Sequence, residues 1–394
     1  MVKLWKKGYE LNKEVEEFTV GDDYLLDQAL VKYDCMASAA HAEMLCKIKI
    51  ISKKELSSLK KALNDIIKLE SEGNFAIKKE DEDCHTTIEN YLTQHCGDAG
   101  KKIHAGRSRN DQVLTAIRMY SKEELKKTKK LCLELIKTLK KVAAAHEDTL
   151  MPGYTHMQKA MPSSASLWLD CFAEALKDDM NLLDAVFELN NQSPLGSCAG
   201  YGTTITIDRE MTAKLAGFKR VQKNVLYVQN SRGKFESATV FALSNIMNDL
   251  AKLASDILLF STSEFGFMSL PIELCTGSSV MPQKKNLDVM ELIRAKASSV
   301  SAKQIEISMI ISKLQSGYNR DLQLTKKPLM ESFKITQECL GIMELCITKL
   351  EFNKKKMLDA LTAEVYATNE ANKLVMKGVP FREAYKKIAD NIKK

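Results

Sequence analysis

Long stretches without glycine or proline constrain this chain more than any other feature. The chain has only seven prolines, and five of them fall between Pro152 and Pro282. Between the breaks run Arg107–Met151, Ser163–Ser193, Lys234–Phe265 and Gln283–Ser316, none of which contains either residue. A fifth stretch, from Leu329 to about Leu350, is interrupted only by Gly341. Glycine and proline are the main helix breakers, so five long helices are expected. At 1.5 Å per residue each reaches roughly 45–60 Å, longer than a small domain is wide.

The apolar spacing agrees. Val113, Leu114 and Ile117, then Leu131, Leu135, Ile136, Leu139 and Val142, recur at helical intervals. From Val240 to Phe260 the apolar residues cover more than one helix face, including Phe241, Leu243, Ile246, Leu250, Leu253 and Ile257. A helix that is apolar on several sides is buried on several sides. A five-helix bundle packed against copies of itself meets that demand, so a homo-oligomer is expected.

Flanking segments read as shorter helices, Asp22–Ile50 and Lys54–Glu70 before the bundle. After it comes a small helical tail in which Lys377-Gly378-Val379-Pro380 is a stop-and-restart signal. The expected organisation is all-α in three parts: an N-terminal domain over 1–106, the long-helix bundle over 107–350 and a short C-terminal domain over 351–394. Thr203–Ile207 is the best candidate for a hairpin strand.

Composition narrows the function. Among 394 residues, 45% are hydrophobic and 28% charged, the balance of a soluble globular protein. No stretch of about 18 apolar residues is available to span a membrane, and Met1–Val20 lacks the pattern of an export signal. Ten cysteines without a C-x-x-C pair read as reduced, mostly buried thiols, and a cytoplasmic location follows as an expectation. The net charge of +7 is spread along helices that alternate acid and base, which marks solvated faces, not a nucleic-acid stripe.

Chemistry collects in four polar clusters at the ends of the long stretches. Gly277-Ser278-Ser279-Val280-Met281-Pro282-Gln283-Lys284-Lys285-Asn286 joins a close-approach backbone to hydroxyls, ammonium groups and an amide, a set suited to a carboxylate substrate. Arg107-Ser108-Arg109-Asn110-Asp111-Gln112 opens the longest helix, where free amides, the dipole and two guanidinium groups favour a carboxylate. Plain N-capping by Ser108 or Asn110 is the alternative. Thr155-His156-Met157-Gln158 carries a histidine, a proton carrier near neutral pH, on a loop bounded by Pro152 and Gly153. The last cluster is Asp83-Cys84-His85. Adjacent helical residues point about 100° apart, so Cys84-His85 and His95-Cys96 are not expected to chelate a metal, and no zinc spacing is present. There is no Gly-rich dinucleotide or phosphate fingerprint.

These clusters resemble those of the argininosuccinate lyases in the fumarase/aspartase superfamily. The 277–286 loop is similar to the superfamily signature, and His104–Val113 and Tyr154–Gln158 to the argininosuccinate lyase motifs. Further likeness lies in Asp27-x-x-Leu30-x-x-x-Asp34, Ser193-Pro194-Leu195-Gly196 and Gly378-Val379-Pro380-Phe381-Arg382-Glu383-Ala384. The resemblance implies an all-helical, three-domain subunit of a homotetramer with a twenty-helix core, and active sites shared among three subunits. It implies reversible cleavage of argininosuccinate to arginine and fumarate, in arginine biosynthesis, with neither metal nor organic cofactor.

By position in the motifs, Ser278 is implied as the base, Lys284 as the adjacent positive charge and Asn286 as a substrate or loop contact. His156, with Glu291 as its acid partner, is implied in protonating the leaving nitrogen. Arg109, Asn110, Thr155, Gln158, Tyr318, Gln323 and Lys326 match substrate-contacting positions. Asp27 and Asp83 suit the cationic ends, and Arg232 matches an arginine that orients the serine loop. The chain departs from the pattern at Leu287, where a proline is usual, at Asn230-Ser231-Arg232-Gly233, and around Asp22-Asp23, where a serine is usual. Its third domain also stops early. Two other readings are open: another fumarate-releasing lyase such as adenylosuccinate lyase, which is not expected to carry the run Gly106-Arg107-Ser108-Arg109-Asn110-Asp111-Gln112, and a crystallin-like structural homologue, against which the retained Ser278, Lys284 and His156 argue.

Overall fold

The computed structural model describes residues 12–392. The opening part of the segment read for an export signal, Met1–Leu11, and the last two residues lie outside that range. We number the helices of ten residues or more α1 to α10: Val31–Lys47, Lys53–Ser71, Cys84–Cys96, Arg109–Ala145, Ala165–Asn190, Lys234–Phe260, Asp288–Ile311, Lys326–Thr348, Ala367–Met376 and Phe381–Ile392. The all-α expectation holds. The five long stretches became α4 to α8, of 37, 26, 27, 24 and 23 residues. Gly341 does not interrupt α8. The tail breaks between α9 and α10, at Gly378 with φ 91°.

Two compact units make up the chain. One is the described part of Met1–Lys127 with Leu182–Ala242 and Ser301–Phe333; the other is Thr128–Asn181, Leu243–Val300 and the described part of Lys334–Lys394. Each of α4 to α8 contributes residues to both.

In the first unit, α1 and α2 pack through Met44, Leu45, Leu59, Leu63 and Ile66, all essentially buried. Ser52 and Glu55 form a reciprocal capping box that starts α2. An edge-to-face chain, Tyr33–Tyr120–Phe333, with centroids 5.9 Å apart at each step, ties α1 to α4 and α8. In the second unit, Tyr154, Trp168, Phe260, Phe265 and Phe267 form one aromatic cluster.

That cluster supports the one substantial hairpin. Strands β1 (Leu150–Thr155) and β2 (Gln158–Ser164) pair antiparallel. The expected strand at Thr203–Ile207 is instead irregular backbone. The hairpin was hidden because Pro152, Gly153 and Pro162 sit in its strands, and such residues normally argue against a strand. Here Pro152 faces Pro162 in a two-stranded ribbon whose outer edges are open, so missing N–H groups are tolerated.

Candidate active site

Eight of the expected residues line one cavity of about 190 Å³ in the first unit: Asp27, Asp83, Arg109, Asn110, Arg232, Tyr318, Gln323 and Lys326. Asp23, Glu82, His85 and Arg320 join them there. Four carboxylates therefore meet four fixed cations, Arg109, Arg232, Arg320 and Lys326, around a single space. Such a lining suits a ligand that carries both signs of charge.

Lys326, at the start of α8, is 1% exposed. Its Nζ lies 2.6 Å from Asp23 Oδ1 and 2.5 Å from Asp27 Oδ1. Asp27 is 0% exposed, and its Oδ2 also accepts the Cys84 N–H at 3.2 Å. Burial opposes the charge on Asp27, but Lys326 and then His85 hold its carboxyl below the usual range. Burial pushes Asp23 up to about 6, with Lys326 opposing and Asp27 adding to the rise. Lys326 stays charged because the two acids outweigh its desolvation.

Arg109 opens α4 against the start of α3. Its guanidinium lies 3.6 Å from Glu82 and 3.4 Å from Asp83, and it donates to Thr86. Asp83 caps α3 by accepting the Thr86 N–H at 2.8 Å. Glu82 sits at φ 68°, ψ −43°, with the Asp83 N–H bonded to the Asp81 carbonyl across it. That is a tight γ-turn, which costs a side-chain-bearing residue roughly 1–3 kcal/mol. Sequence reasoning missed Glu82 because no residue pattern announces such a turn.

Behind this lip, His85 Nδ1 lies 3.3 Å from Asp34, and both are buried. Burial disfavours each charge, yet each partner outweighs it: His85 is raised and Asp34 lowered. The expectation that Cys84 and His85 diverge is corrected here. Cys84 Sγ is 3.7 Å from His85 Nδ1, and Asp27, Cys84 and His85 bring ligand atoms within 4.8 Å of one another. The 100° rule describes Cβ directions, and a ring that folds back overrides it. Two of these donors already have ionic partners, Asp27 in Lys326 and His85 in Asp34.

Asp111 explains much of the polarity at the head of α4. Its Oδ1 accepts the Ser108 N–H at 2.8 Å, and its Oδ2 accepts the N–H groups of Gly196 and Cys198, each at 2.8 Å. Ser108 Oγ accepts the Asn110 N–H at 3.3 Å, so capping is indeed part of this cluster's work. Asp111 is 0% exposed, and burial, offset by these three amides, pushes its carboxyl up to about 6. Asp111→Asn turns an amide donor toward backbone donors. It should cost about 2–4 kcal/mol in denaturant unfolding and impair ligand binding, since Arg109 and Asn110 share its turn.

Arg232 is 3% exposed, with its guanidinium 5.4 Å from the Tyr318 ring. Its neighbour Ser231 accepts from Arg118 at 2.9 Å. Gly233 has φ 81°, and a Cβ there would come 2.3 Å from Ile311 Cγ2. Only glycine fits that corner, which accounts for one departure noted in the sequence. Arg320 and Gln323 donate to the Thr19 carbonyl at 2.7 and 3.4 Å, joining their segment to the N-terminal side of the cavity.

The remaining candidates belong to the second unit. His156 and Met157 form the two-residue turn of the β1–β2 hairpin, at φ 51° and 63°. Both angles are positive, as in a type I′ turn, although neither residue is glycine or asparagine. Thr155 and Gln158 pair across the turn, so all four are exposed at its tip. Ser278, Lys284 and Asn286 share the 277–286 loop. Thr276 and Asn286 close it by reciprocal backbone bonds of 3.0 and 2.9 Å. Asn286 Nδ2 donates to the Gly277 carbonyl at 3.3 Å. Ser278 Oγ accepts the Val280 and Met281 N–H groups at 3.3 and 3.1 Å. Glu291 lies in the first turn of α7 and is exposed. Within the single chain it makes no hydrogen bond or ion pair with His156.

Residues 12–302 match the protein family described as lyase. A Thermotoga neapolitana protein named argininosuccinate lyase is 48% identical over 388 residues, 98% of this chain and 98% of that protein. Its Phocaeicola vulgatus namesake is 43% identical over 99% of this chain and 87% of that protein. Among solved structures, an EDDS lyase in complex with formate is 24% identical, with a TM-score of 0.82 over 97% of this chain and 76% of that chain. A class II fumarase from Schistosoma mansoni is 17% identical, with a TM-score of 0.79 over 95% of this chain and 91% of that chain. At those identities the two structures speak for the fold alone.

Proposed function

The chain belongs to the lyase family, among its argininosuccinate lyases, and on that premise we propose that it cleaves argininosuccinate reversibly to arginine and fumarate. The observation that carries this reading is the cavity: residues drawn from five separated segments converge there with balanced charge. Argininosuccinate bears carboxylates, an ammonium group and a guanidinium group, and calls for such a lining.

The chemistry follows from what must be stabilised. A proton leaves the carbon next to a succinyl carboxylate, and negative charge builds on that carboxylate's oxygens. The C–N bond then breaks, the electron pair goes to nitrogen, and a proton on that nitrogen yields arginine. Ser278 takes the carbon's proton, with Lys284 lowering the cost of its alkoxide. The Val280 and Met281 amides aimed at Ser278 Oγ favour the same charge. His156, oriented by Glu291, serves the departing nitrogen. Arg109 and Asn110 hold the succinyl carboxylates, and Asn286, Thr155 and Gln158 complete the contacts. Asp83, Tyr318, Gln323 and Lys326 meet the arginine end, Asp27 acts on it through Lys326, and Arg232 orients the loop. No step requires a metal or organic cofactor.

His156 and Glu291 lie in one chain without meeting, and each of α4 to α8 exposes large apolar residues: Leu133, Leu167, Phe241, Leu292 and Ile342, for example. We read both as signs of a homotetramer built on a twenty-helix core, whose sites draw on three subunits. Light scattering should find a tetramer, and a stable, active monomer would contradict the assignment. Among the described residues no helix is long and apolar enough to cross a membrane, in keeping with a cytoplasmic place in arginine biosynthesis. The deciding experiment follows fumarate absorbance with argininosuccinate and with adenylosuccinate. Turnover of the first is expected; turnover of the second alone would reverse the assignment.

A further inference from the structure

We propose that Asp23 binds the α-ammonium group of the substrate, which makes this site selective for an α-amino-acid end. The inference rests on the lyase reading above and adds a residue to it. Three charged groups meet in one corner of the cavity: Asp23, Asp27 and Lys326. The two carboxylates share this single ammonium, while Arg232 also acts on Asp23 and His85 on Asp27. Elsewhere in the cavity the carboxylates of Glu82 and Asp83 already face the Arg109 guanidinium.

Hydrogen-bond accounting leaves the free acceptor on Asp23. Asp27 has committed one oxygen to Lys326 and the other to the Cys84 amide, and it is fully buried. Asp23 gives one oxygen to Lys326, and its second accepts no hydrogen bond among the described residues. Its side chain keeps 15% exposure and lines the cavity. A carboxylate oxygen without a partner, open to the cavity, is a place for a cationic donor. Asp23 is itself ion-paired to Lys326 at 2.6 Å, so the corner presents adjacent minus and plus charges. An α-amino acid presents the complementary pair, its ammonium toward Asp23 and its carboxylate toward Lys326. A guanidinium alone would match only the first.

The test uses the full-length oligomer and two readouts. Calorimetry compares arginine with δ-guanidinovalerate, which keeps the carboxylate and guanidinium but lacks the α-ammonium. Turnover compares argininosuccinate with its analogue lacking the same group. Wild type should prefer the ammonium-bearing partner by about 10²-fold, because a polar site rejects a ligand that leaves its groups unpaired. Asp23→Asn should erase most of that preference, raising KM for argininosuccinate about tenfold or more and changing kcat less. Affinity for δ-guanidinovalerate should hardly move. Asp23→Ser, a smaller neutral residue, should behave alike and guards against a folding defect peculiar to one variant. Equal losses for both ligands would show that Asp23 merely positions Lys326 and would overturn the proposal. So would a wild type indifferent to the ammonium. Absence of turnover with an intact arginine preference would instead sink the lyase reading and leave this inference standing.

Discussion

Replacing Ser278 by alanine lowers kcat by about 10³-fold or more, the scale of losing a positioned proton-transfer group, while the oligomer and its thermal unfolding stay as in wild type. The two halves of this expectation have separate causes. Ser278 lies in a loop whose residues from Ser279 to Lys285 are all exposed. Its hydroxyl makes no described contact beyond the loop's own Val280 and Met281 amides. Removing it deletes two local bonds and opens no cavity, so stability should shift by no more than about 0.5 kcal/mol. The Thr276–Asn286 closure, which shapes the loop, involves backbone only and survives. The reaction, by contrast, loses the only group assigned to take the proton. Steady-state fumarate release and a melting curve on the same preparation check both halves. A wild type as inactive as the variant would favour the crystallin-like, structural reading. A variant with near-normal kcat would move the base elsewhere.

The sequence revealed those parts of the fold that are governed by local rules. Five helices were legible because glycine and proline punctuate the chain sharply, and the observed ends of α4 to α7 fall within the marked stretches; α8 starts earlier than marked, at Lys326, with Pro328 in its first turn, where a missing N–H breaks no helical bond. The β1–β2 hairpin was not legible, since Pro152, Gly153 and Pro162 signal a loop wherever an open-edged ribbon is not already known. Nor was the division into two units, whose boundaries cut α4 to α8 mid-length, where no composition change marks a border. The site shows the same split. Arg109, Asn110 and Asp83 stood out as polar residues crowded at helix starts. Asp23 did not, because its significance lies in sharing Lys326 with Asp27 across some 300 residues of chain, and only folding brings those charges together. His156 was singled out for its chemistry. That it occupies a positive-φ hairpin turn, where a histidine is strained, adds an independent physical reason to regard it as functional.

Lys326→Met should destabilise the protein by about 3–5 kcal/mol, the usual consequence of stranding a buried ionic partner, and should abolish measurable substrate affinity. Methionine matches the lysine stem in length, so packing is largely kept and the charge is what changes. In wild type the Asp27 carboxyl is held below its ordinary value of 3.8. Its contribution is therefore present above that value and is lost as pH falls through the folded one. Without the ammonium, burial and mutual repulsion raise the Asp27 carboxyl above its unfolded value and push Asp23, already up at about 6 in wild type, higher still. The sign then reverses: the variant binds more protons folded than unfolded, and its stability falls as pH rises from about 4 towards neutrality. Its deficit relative to wild type should be large at neutral pH and should shrink in mild acid. Adding Asp27→Asn removes one stranded charge, so the double variant should regain part of the loss at neutral pH and show a weaker pH dependence. Urea unfolding of wild type, Lys326→Met, Asp27→Asn and the double variant across that range measures both the coupling and its slope. A deficit of equal size at every pH, untouched by Asp27→Asn, would mean that Lys326 acts through packing, and the electrostatic account of this corner of the cavity would fall with it.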